Sequence, residues 1–203
     1  MSSYPVQTWR NKGYSAFLSK SMSEWRCFRR GKPNNSEAAT AVKGKDMKIL
    51  VVYDSKSGNT EKMAHAVAEG AEKAGAEVAV KRAEQAKLSD LLDADGIVMG
   101  SPTYFGQMSA RLKHLIDESV EVHERLAGKV GAAFTSSGGT ATGAETTLLS
   151  IVQAMLVHGM IVQGNAEDKH YGVAAVGAPK PKDLKACEEL GARVALLVQK
   201  LKA

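Results

Sequence analysis

Residues 47–70 read MKILVVYDSKSGNTEKMAHAVAEG. The run KILVVYD is apolar and β-branched without alternation, as a strand buried on both faces requires. The helix after it starts from Thr60. Met63, Val67 and Ala71, with Ala64 and Ala68, form an apolar stripe at helical spacing, and Gly75 ends it. Between strand and helix stand only Ser55, Lys56, Ser57, Gly58, Asn59 and Thr60. Such a turn places hydroxyls and unpaired backbone N–H groups at a helix N-terminus, where the helix dipole favours an anion. Gly58 allows the turn without a Cβ clash. The loop lacks the Lys-Ser/Thr pair of a Walker loop and is not GxGxxG. Taken alone, it reads equally well as an ordinary capped helix, with Ser57 or Thr60 as the cap.

The alternation continues to the end of the chain. EVAVKRA is a second strand, KLSDLLDAD a short helix, and GIVMGS a third strand followed by a helix marked by Leu112, Leu115 and Ile116. KVGAAFTSS is a fourth strand, AETTLLSIVQAMLVHG a strong helix, MIVQGN a fifth strand, and residues from about 181 to 202 form a closing helix. Strands alternating with helices predict βαβ units and a parallel sheet covered on both faces. In such sheets ligands bind beyond the carboxyl ends of the strands. The three loops richest in Gly, Ser and Thr are SKSGNT, SPTYFGQMS and TSSGGTATGAE. They follow the first, third and fourth strands, so they open on one edge and one ligand could touch all three.

Each loop offers a different chemistry. The first is an anion site. The second carries Pro102, Thr103, Tyr104, Phe105 and Gly106, with two adjacent aromatics in a polar turn. An aromatic pair at a loop tip suits a flat ligand, although one ring could instead pack back on the third helix. The third, with Ser136, Ser137, Gly138, Gly139 and Thr140, presents backbone N–H groups and little bulk. A phosphate pocket, an aromatic wall and a hydrogen-bonding edge outline a flavin mononucleotide.

Composition narrows the alternatives. The chain has 203 residues, a 44% hydrophobic content and a pI of about 9.1. Of its 27 basic and 22 acidic residues, nine and three fall in 1–46, so 18 and 19 remain in 47–203. The first segment carries +6 and the rest −1, which gives the fold no electrostatic reason to bind nucleic acid. No apolar run is long enough to span a membrane. Cys27 and Cys187 form neither a disulfide framework nor a zinc site, and a reducing cytoplasm fits them. Residues 1–46 hold both tryptophans, Trp9 and Trp25, without lasting periodicity. They read as an over-extended start before Met47, a transit segment or a basic arm. The first reading is favoured, and the segment is expected to be mostly disordered. The organisation expected is a 1–46 extension and a 47–203 domain.

The motifs of 47–203 resemble the flavodoxin-like family. SKSGNT is similar to its Ser/Thr-x-Ser/Thr-Gly-x-Thr phosphate loop. GSPTYFGQMSARLKHLID, FTSSGGTATGAETT and HGM resemble the tryptophan-repressor-binding-protein-like NAD(P)H:quinone oxidoreductases. The resemblance implies a three-layer doubly wound α/β fold with a five-stranded parallel sheet in the order 2-1-3-4-5. It implies FMN, with phosphate contacts from Ser55 through Thr60 and ring contacts from residues 102–106 and 136–140. The chain departs from the subgroup in three places. AEQAKLSDLLDAD stands where the reductases carry a long insertion, SVEVHERLAGK lacks their tryptophan, and the loop after the fifth strand is short.

Two histidines remain. The resemblance places His158 near a flavin. At the far end of its helix it could reach only the flavin of another subunit, and a histidine set against a helix C-terminus is the simpler reading. His170, beside Tyr171 after the fifth strand, is expected on the flavin edge as a proton donor or substrate-orienting group, or else as a solvated loop residue. The resemblance implies an oxidoreductase that takes electrons from NAD(P)H and reduces a quinone, in a homodimer or homotetramer. The alternative is a one-electron carrier without turnover. A carrier for basic partners should be strongly acidic and cover its flavin, whereas 47–203 is nearly neutral and has no tryptophan. Both facts favour the enzyme.

Overall fold

A computed structural model describes residues 47–203, and the expectations for 1–46 lie outside the described residues. The sheet is parallel. Its strands are β1 (Lys48–Tyr53), β2 (Glu77–Arg82), β3 (Gly96–Pro102), β4 (Val130–Ser137), β5 (Ile161–Val162) and β6 (Val173–Val176). The helices are α1 (Asn59–Lys73), α2 (Leu88–Asp93), α3 (Ala110–Glu118), α4 (Ala144–Val157) and α5 (Pro181–Lys202), with a 3-10 turn over Ser119–Val122.

The order is β2-β1-β3-β4-β5, with β6 also on β4. This is the expected doubly wound arrangement with one difference. The fifth position is shared by two short strands: β5 pairs with Val130 and Gly131, and β6 pairs with Phe134 through Ser137. Residues 163–172 leave the sheet between them.

The continuous apolar runs follow from burial on both faces. In β1, Ile49 and Val51 pack with Met63 and Val67 of α1 and with Leu190, Val194 and Val198 of α5. Leu50 and Val52 face the other way, onto Leu91 of α2, Leu112 and Leu115 of α3, and Leu148 and Ile151 of α4. Fully burying each such side chain stabilises the fold by about 1.5–3 kcal/mol.

α1 and α5 are held close at two glycines. A Cβ on Gly70 would lie 1.9 Å from the Glu188 carbonyl oxygen, and one on Gly191 would lie 1.9 Å from that of Val67. This contact fixes α1 on the sheet, and α1 carries the first loop at its N-terminus. Among the described residues no helix is long and apolar enough to cross a membrane.

Candidate functional site at the carboxyl edge of the sheet

Strand order reverses between β1 and β3, so the crevice expected of this topology lies beyond their carboxyl ends. The loops after β1, β3 and β4 meet there. The Thr60 and Ser136 hydroxyls are hydrogen-bonded at 2.8 Å, joining the first loop to the end of β4. The Thr103 N–H donates to the Ser136 carbonyl at 2.8 Å, and the Thr103 and Thr135 hydroxyls are 3.0 Å apart. A Cβ on Gly143 would lie 2.5 Å from the Gly106 Cα, so the second and third loops touch.

The first loop is anchored at its base. Ser55 is buried and its hydroxyl accepts the Gly58 N–H at 3.1 Å, while Lys56 and Ser57 are exposed. Gly58 is the N-cap of α1 at φ +83°, and no side chain among the described residues caps the terminus. The ordinary capped helix is therefore not what forms: neither Ser57 nor Thr60 acts as a cap. The first-turn N–H groups face the edge without a side-chain acceptor, which is the donor set an anion needs. A Cβ at Gly58 or Gly138 would meet nothing within 4 Å, so the space before both loops is open.

The second loop is a two-residue turn. Tyr104 and Gln107 exchange N–H···O bonds at 3.0 Å each, with Phe105 at φ +50° and Gly106 at φ +75°. Positive φ at both central positions defines a type I′ turn, which favours Asn-Gly. Phe105 is fully exposed and Tyr104 is 40% exposed. Phe105 therefore does not pack back on a helix. The turn sits on a firm base. The buried Ser101 hydroxyl accepts the Ser109 N–H at 2.8 Å, and Ser109 caps α3 by accepting the Leu112 N–H.

In the third loop the Ser137 and Thr142 hydroxyls both donate to the Gly139 carbonyl, at 3.0 and 2.8 Å. α4 begins at Gly143, φ +93°, again without a side-chain cap among the described residues. A fourth segment reaches the same edge. β6 ends beside Ser137, and the Gly177 N–H donates to the Ser137 carbonyl at 2.8 Å, which brings Gly177–Lys180 alongside the third loop. The sequence reading missed this segment because it ended the fifth strand too early.

The same split sets His170 in the 163–172 segment that leaves the sheet between β5 and β6, a segment that rejoins it where Gly172 packs against the Ala133 carbonyl. Its Nδ1 donates to the Asn165 carbonyl at 2.6 Å and ties down its own loop. Tyr171 is exposed beside it. His158 follows α4, whose 14 residues put it about 21 Å from the third loop. The Ser119 hydroxyl donates to the Ile116 carbonyl at 2.6 Å, so at His158 Nε2, 2.8 Å away, it accepts. Among the described residues, His158 Nδ1 is buried without a hydrogen-bond partner. Burial, with a smaller effect of His123, lowers the His158 pKa.

Two charged groups at the edge were not legible in the sequence. The Asp54 carboxylate, 4% exposed at the end of β1, pairs with Arg111 at 3.3 Å, which also reaches Glu84 at 3.3 Å. Behind the first loop, Arg82 joins Ser55, Glu61 and Tyr53. Their partners lie 21 to 57 residues apart in the chain, and no local spacing marks them.

Residues 83–168 match the family model described as NADPH-dependent FMN reductase. An NAD(P)H dehydrogenase (quinone) from Archaeoglobus fulgidus is 40% identical over 188 residues, covering 76% of this chain and 98% of its own length. A flavodoxin from Aquifex aeolicus is 39% identical over 157 residues, covering 73% of this chain and 85% of its own. Among solved structures, the flavodoxin WrbA-like protein from Agrobacterium tumefaciens is 30% identical with a TM-score of 0.66, over 76% of this chain and 99% of that one. Identity of this extent, on a sheet of this order with these loops at its carboxyl edge, makes the chain a member of the flavodoxin-like family in its tryptophan-repressor-binding-protein-like branch.

Proposed function

We propose that the chain is an FMN-dependent oxidoreductase that passes electrons from NAD(P)H to quinone-like acceptors, with the flavin seated at the carboxyl edge of β1, β3 and β4. The observation that supports this reading is the N-terminus of α1, without a side-chain cap among the described residues and tied to the end of β4 by the Thr60–Ser136 pair. Ser55 through Thr60 would hold the phosphate. Residues 102–106, chiefly Tyr104 and Phe105, would lie against the ring, and residues 136–140 along its polar rim.

Bound flavin supplies the redox chemistry, accepting electrons from the nicotinamide and giving them to the acceptor. The chain's own part is to bind, orient and leave one ring face open. No side-chain acid or base at the edge is required for that task. His170, on the segment between β5 and β6, would serve as a proton donor or substrate-orienting group only if that segment reaches the bound acceptor. His158 would contribute only in a homodimer or homotetramer, across a subunit interface. The exposed Val120, Leu156 and Val157 support such an assembly, since they stand on the elements joined by the Ser119–His158 bond. The Cys187 thiol is buried and unpaired among the described residues, its pKa pushed up to about 12 by burial, and it fits a cytoplasmic location.

The experiment is NADH and NADPH oxidation with benzoquinone, using the full chain saturated with FMN and a free-FMN control. Turnover well above the control is the expected result. A one-electron carrier is the second reading, favoured by the identity to the Aquifex aeolicus flavodoxin. Tight FMN binding without turnover would establish that reading instead.

A further inference from the structure

Arg82 ends the edge strand β2, in register with Tyr53 at the end of β1. One of its terminal nitrogens donates to the Ser55 carbonyl at 3.2 Å, at the start of the first loop. The other donates to both Glu61 carboxylate oxygens at 3.2 Å, in the first turn of α1. The Tyr53 hydroxyl donates to the same carboxylate at 2.6 Å, and the guanidinium lies 5.5 Å from the Tyr53 ring centroid. One planar cation thus ties together the two ends of the loop that runs from Ser55 to Thr60.

The electrostatics of that arrangement are unusual for an anion site. Glu61 is a full negative charge in the same helical turn whose N–H groups would receive the phosphate. A carboxylate there satisfies the helix dipole in the ligand's place and repels a dianion. Here it is drawn toward β2 by the Tyr53 hydroxyl and one terminal nitrogen of the Arg82 guanidinium. The Tyr53 hydrogen bond is the main cause of its lowered pKa, so it stays ionised at working pH and its charge must be offset rather than neutralised by a proton. A bifurcated guanidinium contact gives that offset a fixed geometry, which a lysine could not reproduce at both Ser55 and Glu61.

We propose that Arg82 is a positioning residue for the phosphate loop: with Tyr53 it holds Glu61 back from the ligand and fixes the Ser55 carbonyl, so that the cradle takes a phosphorylated flavin in preference to the unphosphorylated one. The proposal rests on the FMN reading. It assigns a role to a residue that touches neither phosphate nor ring.

Flavin affinity, read by quenching of flavin fluorescence on the full apoprotein, tests it with FMN and riboflavin side by side. Arg82→Met is expected to weaken FMN by about tenfold or more. Riboflavin, which has no phosphate to repel, should change by less than about twofold. Adding Glu61→Gln to Arg82→Met should recover most of the FMN loss, and Arg82→Lys should fall between wild type and Arg82→Met. Equal weakening of both flavins, an unchanged FMN affinity or no recovery by Glu61→Gln would overturn the proposal. If Arg82→Met does not fold, Glu61→Gln alone decides: it should tighten FMN and leave riboflavin as it was, and the reverse overturns the idea. A wild-type chain that binds neither flavin would remove the FMN reading itself, a result separate from any of these.

Discussion

Phe105 is the residue whose conformation and exposure are hardest to explain by folding alone. It stands at the first central position of a type I′ turn at φ +50°, with its ring wholly in solvent. A non-glycine residue in that conformation costs roughly 1–2 kcal/mol, and asparagine bears it better. Strain retained without any packing in return points to a ligand-facing role. Phe105→Asn is therefore expected to raise stability by about 1 kcal/mol in urea unfolding. It should also weaken FMN about three- to tenfold, the worth of one aromatic contact. A variant that loses stability and keeps its FMN affinity would show that the ring serves the fold. His158 gives a second test at this scale. Its folded pKa lies below the ordinary 6.5, so below about pH 6.5 the unfolded chain binds a proton that the folded chain refuses. Stability should then fall as pH drops from 7.5 to 5.5, and its contribution is fully present only above that window. His158→Gln, which can still donate to Ser119, should flatten the slope of the urea midpoint across those pH values. An unchanged slope would mean that His158 titrates alike in both states.

At the scale of elements, the α1–α5 contact decides how firmly the first loop is presented. Gly70 and Gly191 each face a backbone carbonyl of the other helix at a distance no Cβ tolerates. Gly70→Ala and Gly191→Ala should each lose about 1 kcal/mol net, since overpacking of about 1–3 kcal/mol outweighs a helix-propensity gain of about 1 kcal/mol. FMN affinity should fall with Gly70→Ala as α1 shifts, and a urea midpoint equal to wild type would disprove the close contact. The elements that were legible in the sequence are those with a strong internal signal. KILVVY shows burial on both faces, and Met63 and Val67 show the helical stripe. The fifth strand was not legible as it stands. Ile161–Val162 and Val173–Val176 are too short to carry a period of their own, and each is a strand only because β4 offers it an edge. That is why Gly177–Lys180 was not expected beside the third loop. The apolar VAAV run after Gly172 was the one available signal. The phosphate loop was legible because its residues are consecutive. Arg82 and Arg111 were not, because tertiary folding brings their partners together.

For the whole molecule, the described residues build hydrophobic clusters on both faces of the sheet. The charge divides at Met47, with the segment 1–46 carrying +6 and the remainder −1. We propose that 47–203, nearly neutral as a whole, folds and binds its ligand without the basic segment. FMN binds the folded chain alone, so at about 100 times its Kd it should add about 2.7 kcal/mol of stability and raise the thermal midpoint. Residues 47–203 alone are expected to melt at the same temperature as the full chain and to gain the same increment from FMN. Thermal unfolding of both forms, with and without FMN, measures the two quantities together. A shorter chain that melts lower without flavin would assign residues 1–46 to the fold. One that melts alike but gains less from FMN would assign them to the flavin site, and either result would overturn the division at Met47.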